Sequence, residues 1–209
     1  MNLTNESFDL RKSNTNELLE HLVSVISKKN FFLKKNPNRE IPFYICPFMP
    51  EFTLEVYEVI NFLDKQLNKR EIEVLEIDLY EISIEILKNM KGNLFDKIQE
   101  QEPQMNKDLL LETLQNVLNA EEHLVPAIQN LIENKKHQVI FIKGIGEVFP
   151  YIRTHNLLTN LQKVLKNQPS IIFFPGNYEN DPKLGCSLNL FCEFNNDNYY
   201  RASNILTMR

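Results

Sequence analysis

The sequence predicts an α/β fold: a mostly parallel central sheet flanked by helices, with a helical insertion near residues 79–135. Three observations carry that expectation. Gln138-Val139-Ile140-Phe141-Ile142 and Ser170-Ile171-Ile172-Phe173-Phe174 are continuous apolar runs, the pattern of strands buried on both faces. Between them Leu157, Leu158, Leu161, Val164 and Leu165 recur at helical spacing, so strand, helix and strand form a βαβ unit. Residues 79–135 hold no strong strand pattern and read as helices throughout.

Taken in order, Asn14 stands three residues before Glu17, a cap-like start for a helix with Leu18, Leu22, Val25 and Ile26 on one face. Asn36-Pro37-Asn38 marks a turn, and Ile41 to Cys46 reads as a short buried strand stopped by Pro47 and Pro50. Val56, Val59, Ile60, Leu63 and Leu67 return to helical spacing, and Glu71 to Asp78 reads as a second strand. In the insertion, helices are expected over Glu81–Asn89, Asn93–Gln99, Lys107–Asn119 and Pro126–Lys135, with Pro126 in a first turn. The strand at 138–142 ends at Gly144-Ile145-Gly146 and leads into the Leu157–Leu165 helix; the strand at 170–174 is closed by Pro175-Gly176. The tail, 186–206, reads as one or two strands around an Asn195-Asn196-Asp197-Asn198 turn.

With 209 residues, 43% hydrophobic and 24% charged, the chain has ordinary globular composition and is expected to form a single domain over 1–209. Its formal charge is −5, unevenly spread: residues 1–149 hold 17 Lys and Arg against 24 Asp and Glu, residues 150–209 six against four. An acidic excess argues against unaided DNA binding, which draws its affinity from neutralised phosphates. Any DNA contact would come from the C-terminal segment within an assembly. Three widely spaced cysteines, Cys46, Cys186 and Cys192, read as free thiols of a reducing compartment. The first residues lack an apolar signal-peptide core and no apolar run approaches a membrane span, so a cytoplasmic location without membrane contact is expected.

The chemistry of an enzyme does not assemble in the sequence. Where a nucleotide-binding fold places its phosphate loop stands Pro47-Phe48-Met49-Pro50, with neither glycine nor a Lys-Ser or Lys-Thr pair. The strand at 138–142 lacks the terminal acid of a Walker B site. His21, His123, His137 and His155 show no metal-ligand spacing, and Cys186 and Cys192 have five residues between them, outside the usual thiolate pairing. Cys46 with His155 is the one imaginable nucleophile–base pair, but a buried structural cysteine is the commoner condition. Asp78, ending a strand, is best placed to cap the next helix. No cofactor, no metal and no catalytic residue is expected.

One region is specialised. From Gly144 to Asn156 the chain packs aromatic, cationic and polar residues into a single strand-to-helix crossing, at the sheet edge where binding groups gather. Gly144 and Gly146 precede a helix, where a small anion can dock, although a plain turn explains them as well. Arg153 and His155 can meet an anion or a partner's carboxylates; the alternative is an internal pair of Arg153 with Glu147. In Tyr199-Tyr200-Arg201, the first and third residues of a strand share a face, and Tyr and Arg are enriched at interface hot spots. The binding candidates are therefore Gly144, Gly146, Glu147, Arg153, His155, Asn156, Tyr199, Tyr200 and Arg201.

GIGEVFPYIRTHNLLTNLQ (144–162), SIIFFPGNY (170–178), SLNLF (187–191) and DNYYRA (197–202) together resemble the BrxB family, the B component of BREX (bacteriophage exclusion) phage-resistance systems. The resemblance is carried by 138–205; before that it rests on the layout of strands and helices. Its motif positions fall on Gly144, Gly146, Pro150, Arg153, Asn156, Pro175, Gly176, Tyr199, Tyr200 and Arg201. The resemblance implies a small cytoplasmic subunit acting beside a methyltransferase, a large ATPase and the phosphatase-superfamily protein PglZ. It further implies an adaptor that associates with PglZ and supports phage restriction and host DNA methylation, in a family for which no enzymatic activity is established. Two other readings stay open: a nucleotide- or anion-binding module on a degenerate α/β scaffold, and a DNA-contacting subunit.

Overall fold

Alternation along four parallel strands sorts the core into two halves. In β1 (Phe43–Phe48), Phe43 and Ile45 point to one face and Tyr44, Cys46 and Phe48 to the other. In β3 (Val139–Lys143), Ile140 and Ile142 join the first face, Val139 and Phe141 the second. In β4 (Ser170–Asp181), Ile172 and Phe174 oppose Ile171 and Phe173. This period of two with both faces apolar is what a sheet covered on both sides requires. β2 (Val74–Asp78) completes the set, with Leu75 and Ile77 fully committed to the first face. The computed structural model describes residues 7–32, 43–165, 168–181, 185–200 and 202–209.

The sheet order is β2-β3-β4-β1-β7, with β7 a two-residue strand at Ser203–Asn204, and every pairing along this path is parallel. α1 (Thr15–Ile26), the short α2 (Lys29–Phe32) and α3 (Thr53–Asn68) supply the apolar cover of the second face. The first face is covered by the insertion and by α8 (Thr154–Val164). The insertion comprises α4 (Leu79–Asn89), α5 (Leu94–Gln101), α6 (Lys107–Val117) and α7 (Val125–Asn134), with a π-helical turn at Ala120–Leu124. Polar caps start several of these helices: Asn14 accepts the Glu17 N–H, Asp78 those of Tyr80 and Glu81, Asn106 that of Asp108. The mostly parallel α/β fold with a helical insertion at 79–135 is thus the architecture observed.

Several boundaries differ from the sequence expectation. Pro47 does not stop β1 but lies inside it. Its carbonyl accepts the Phe8 N–H at 2.8 Å on the side away from β4, where β7 has already ended, so the proline's missing donor breaks no ladder bond to β4. Ile41 and the Asn36–Asn38 turn lie outside the described residues. β2 begins only at Val74, because Glu71 takes a positive φ of 60° and Ile72 donates back to Leu67, closing the end of α3.

The largest departure is β4. It does not close at Pro175-Gly176 but runs on to Asp181, leaving the parallel core to pair antiparallel with β5 (Gly185–Leu190). Gly176 permits this: a Cβ there would overlap the Asn189 carbonyl across the ladder. The hairpin turn is Phe191-Cys192-Glu193, not the Asn195–Asn198 run, which lies within β6 (Phe194–Tyr200). Phe191 and Cys192 both take positive φ, 55° and 61°. That conformation costs roughly 1–2 kcal/mol per ordinary residue, and here the Phe191 ring is anchored under Phe149 at 6.0 Å while its N–H donates to the Pro175 carbonyl.

Candidate functional site

The carboxyl edge of the sheet holds two constellations. The first is a charged knot where β2 and β3 end. Asp78 and Lys143 stand opposite one another in the parallel register. The Lys143 ammonium lies 2.6 Å from Glu76 Oε1, 3.4 Å from Asp78 Oδ2 and 5.0 Å from the centre of the Tyr57 ring. Burial works against the charged ammonium, but the hydrogen bond and charge of Glu76, with Asp78 behind, outweigh it and hold the lysine above its ordinary pKa. The Tyr57 hydroxyl accepts the Gly144 N–H at 3.0 Å, and its pKa is pushed up by burial first and the neighbouring Glu147 carboxylate second. Glu147 thus faces Tyr57, and among the described residues Arg153 takes part in no ion pair. The internal Arg153–Glu147 alternative falls.

Gly144 is required where it sits. With φ at +86°, a Cβ would meet the Tyr80 and Leu79 amides and the Asp78 carboxylate within 3.1–3.2 Å. Asp78 serves as the helix cap that its position at a strand end predicts. The glycines do not abut α8, however. A turn closed by Glu147 and Val148 N–H groups on the Gly144 carbonyl intervenes, and α8 starts only at Thr154. The helix N-terminus beside Gly144 is instead that of α4, whose Tyr80 and Glu81 N–H groups are already capped by Asp78.

The second constellation lies beyond that turn. Gly146 sits beneath the hairpin tip, where a Cβ would come within 2.8 Å of the Phe191 ring and 3.0 Å of Pro175. Phe149 packs 5.0 Å from Phe194, centre to centre, and Phe194 keeps 46% of its surface exposed. The Pro150 carbonyl accepts Gln115 Nε2 at 3.2 Å, tying α6 to the crossing. Arg153 and Asn156 are exposed and His155 half-buried at the head of α8. Two clefts open on either side of Arg153, of about 420 Å³ towards Asn119 and Asn160 and about 650 Å³ towards Phe149 and Phe194.

The structure therefore gathers Arg153, His155 and Asn156 at one surface, and puts Gly146 beneath its hairpin wall. Gly144 and Glu147 belong to the charged knot. Tyr199 and Tyr200 lie on β6, and Arg201 lies outside the described residues. Cys46 and His155 do not meet. Cys46 is wholly buried on the α1–α3 face, with its pKa driven up by burial, whereas α8 packs against the opposite one. Lys143, Tyr57, Gln115 and Phe194 went unnoticed in the sequence. Lys143 alone had a legible sign, a lone cation closing an apolar strand.

The crevice at the end of β1 is closed from within. Phe8, fully buried, donates to the Pro47 carbonyl and accepts the Met49 N–H at 2.9 Å, while the Ser7 hydroxyl donates to Asn177 Oδ1 at 2.7 Å. Backbone groups that would face a phosphate at this sheet edge already bond to the chain's own N-terminal segment. Among the described residues no helix is long and apolar enough to cross a membrane.

Comparison with known proteins adds the relatives. No solved structure matches this chain significantly. A "BREX protein BrxB" of Bacillus cereus (strain H3081.97) is 34% identical over 193 residues, covering 91% of this chain and 97% of its own. Another, of Escherichia coli O9:H4 (strain HS), is 27% identical over 184 residues, 88% of each chain. The family model described as BREX protein BrxB matches residues 75–205, so the likeness begins well before the stretch at 138–205. It takes in β2 from Leu75 on, Glu76, Asp78 and Lys143 of the charged knot, the whole insertion and the hairpin, and the chain belongs to the BrxB family of BREX proteins.

Proposed function

We propose that this chain is a non-catalytic, cytoplasmic adaptor of a BREX anti-phage assembly, docking on the PglZ-type phosphatase-superfamily component through its C-terminal half. The observation that carries this reading is the near full-length kinship with BREX BrxB proteins. It is supported by the way the sheet's carboxyl edge is spent on internal bonds. Phe8 occupies the β1 end, and Lys143 with Glu76 and Asp78 occupies the β2–β3 end. What faces outward instead is a surface of aromatic, amide and guanidinium groups, the composition that favours protein contacts.

The test is co-purification from cells carrying the complete operon, with a tag on this chain. Recovery of the PglZ-type protein in a stable, roughly stoichiometric complex is expected. Recovery of the chain alone at every ionic strength tried overturns the reading.

A further inference from the structure

Gln115, Arg153 and Asn156 line both clefts flanking the start of α8, so the two adjoin at those side chains as the halves of a two-part trough. It runs from the end of α6, across Arg153, to the β5–β6 hairpin. Each part falls within the size range of ligand-binding clefts, about 300–1,000 Å³.

We propose that this trough is a docking groove for an extended peptide segment of a partner protein, one that sets a carboxylate on Arg153 and seats a neighbouring apolar side chain on Phe149 and Phe194. The inference rests on the adaptor reading and specifies its surface and the chemistry it recognises.

Charge complementarity selects the occupant. Arg153 is an exposed guanidinium with no ion pair among the described residues, set midway along the trough, and a planar fork of donors matches a carboxylate in two hydrogen bonds. Carboxylates stand at both ends: Glu121, 3.9 Å from Lys163, and the exposed Glu193. A nucleic-acid backbone laid along the trough would bring phosphates against both, whereas a peptide with one central acid meets only the cation. The amide end fits a peptide main chain. Asn119 spends its oxygen on the Glu121 and Glu122 N–H groups, and Gln115 spends its nitrogen on Pro150. Asn119 Nδ2, Gln115 Oε1 and the Asn156 amide bond to no other described residue, and together they offer the donors and acceptors that an extended backbone presents in alternation. At the other end Phe149 and the exposed Phe194 form an apolar seat.

The full-length chain is tested as wild type, Arg153→Glu, Asn156→Trp and the distant control Lys69→Glu, with thermal melting to confirm that each folds. Overlapping synthetic peptides tiling the other BREX subunits, read by fluorescence anisotropy, are the probe, with duplex DNA in parallel. Peptides bound by the wild type are expected to carry Asp or Glu beside Phe, Leu or Tyr. Arg153→Glu and Asn156→Trp should each weaken them at least about tenfold, a difference of 1.4 kcal/mol, and Lys69→Glu should leave them unchanged. The proposal is overturned if no peptide binds, if binding survives both groove variants, or if duplex DNA binds instead and is lost in Arg153→Glu. Co-purification separates the two levels. Wild type and both variants recovering the operon partner equally sinks the groove and leaves the adaptor reading standing, whereas wild type recovering no partner sinks the adaptor reading itself.

Discussion

Lys143 on β3 and Glu76 on β2 meet at 2.6 Å across the outer pair of parallel strands, and the same ammonium reaches Asp78 at 3.4 Å. The lysine offsets the repulsion between two carboxylates that stand two residues apart on β2. Lys143→Met is therefore expected to lower unfolding stability by about 2–3 kcal/mol, since it removes charge-assisted hydrogen bonds and strands half-buried acids. Adding Glu76→Gln to Lys143→Met should recover part of that loss. Urea titration of the four members of the cycle measures it, and additive losses would refute the coupling.

The same knot sets an alkaline limit. The folded Lys143 holds its proton more tightly than the unfolded residue. Its contribution is fully present below the unfolded lysine pKa of about 10.4 and is lost as pH rises through the higher folded value. The stability gap between wild type and Lys143→Met should accordingly narrow above that point, as followed by denaturation across alkaline buffers.

Acid acts at the other end of the chain. The Arg11 side chain hydrogen-bonds Asp9 and holds its carboxyl below the usual range, with Nε to Oδ1 at 2.8 Å. This contribution is present above the unfolded Asp pKa of about 3.9 and disappears as pH falls through the lower folded value. Asp9→Asn should thus be less stable than wild type at neutral pH, and the gap should close below about pH 4.

Phe8 is expected to matter far more than its place near the start of the chain implies. Phe8→Ala removes a fully buried ring and should cost about 3–5 kcal/mol. It should also loosen the backbone it bridges, so that the Met49 amide exchanges hydrogen faster than in wild type. Unchanged protection there would show that the N-terminal segment does not close the β1 crevice.

Gly176→Ala forces a methyl group into the Asn189 carbonyl. A loss of at least about 2 kcal/mol is expected, because the Asn189 carbonyl is ladder backbone that cannot rotate away. Circular dichroism during thermal unfolding reads it, and a neutral substitution would mean the β4–β5 register is wrong.

How much of this was legible varies by element. β1, β3 and the first half of β4 announce themselves because strands covered on both faces need unbroken apolar runs, and Asp78 because a polar residue at a strand end has an obvious N–H to accept. The continuation of β4 was hidden because proline and glycine ordinarily end strands, and here the glycine serves a close approach of two backbones. The hairpin turn was misplaced because Asn195–Asn198 has turn-like composition, whereas the actual turn is held by tertiary packing of Phe191 on Phe149 and Gly146. At the candidate site, the Gly144–Asn156 crossing could be read from its crowded chemistry. Its partners could not, since Gln115 lies in the insertion and Phe194 on the hairpin, and only sheet order brings them to Arg153.

The twelve residues of β4 begin in the middle of the parallel core and finish paired with β5, the first strand of the hairpin that walls the trough. One uninterrupted strand is therefore shared between the buried parallel layer and the antiparallel extension beyond it. A pull on the hairpin is carried by ladder bonds straight into the centre of the molecule, with no loop in between to absorb it.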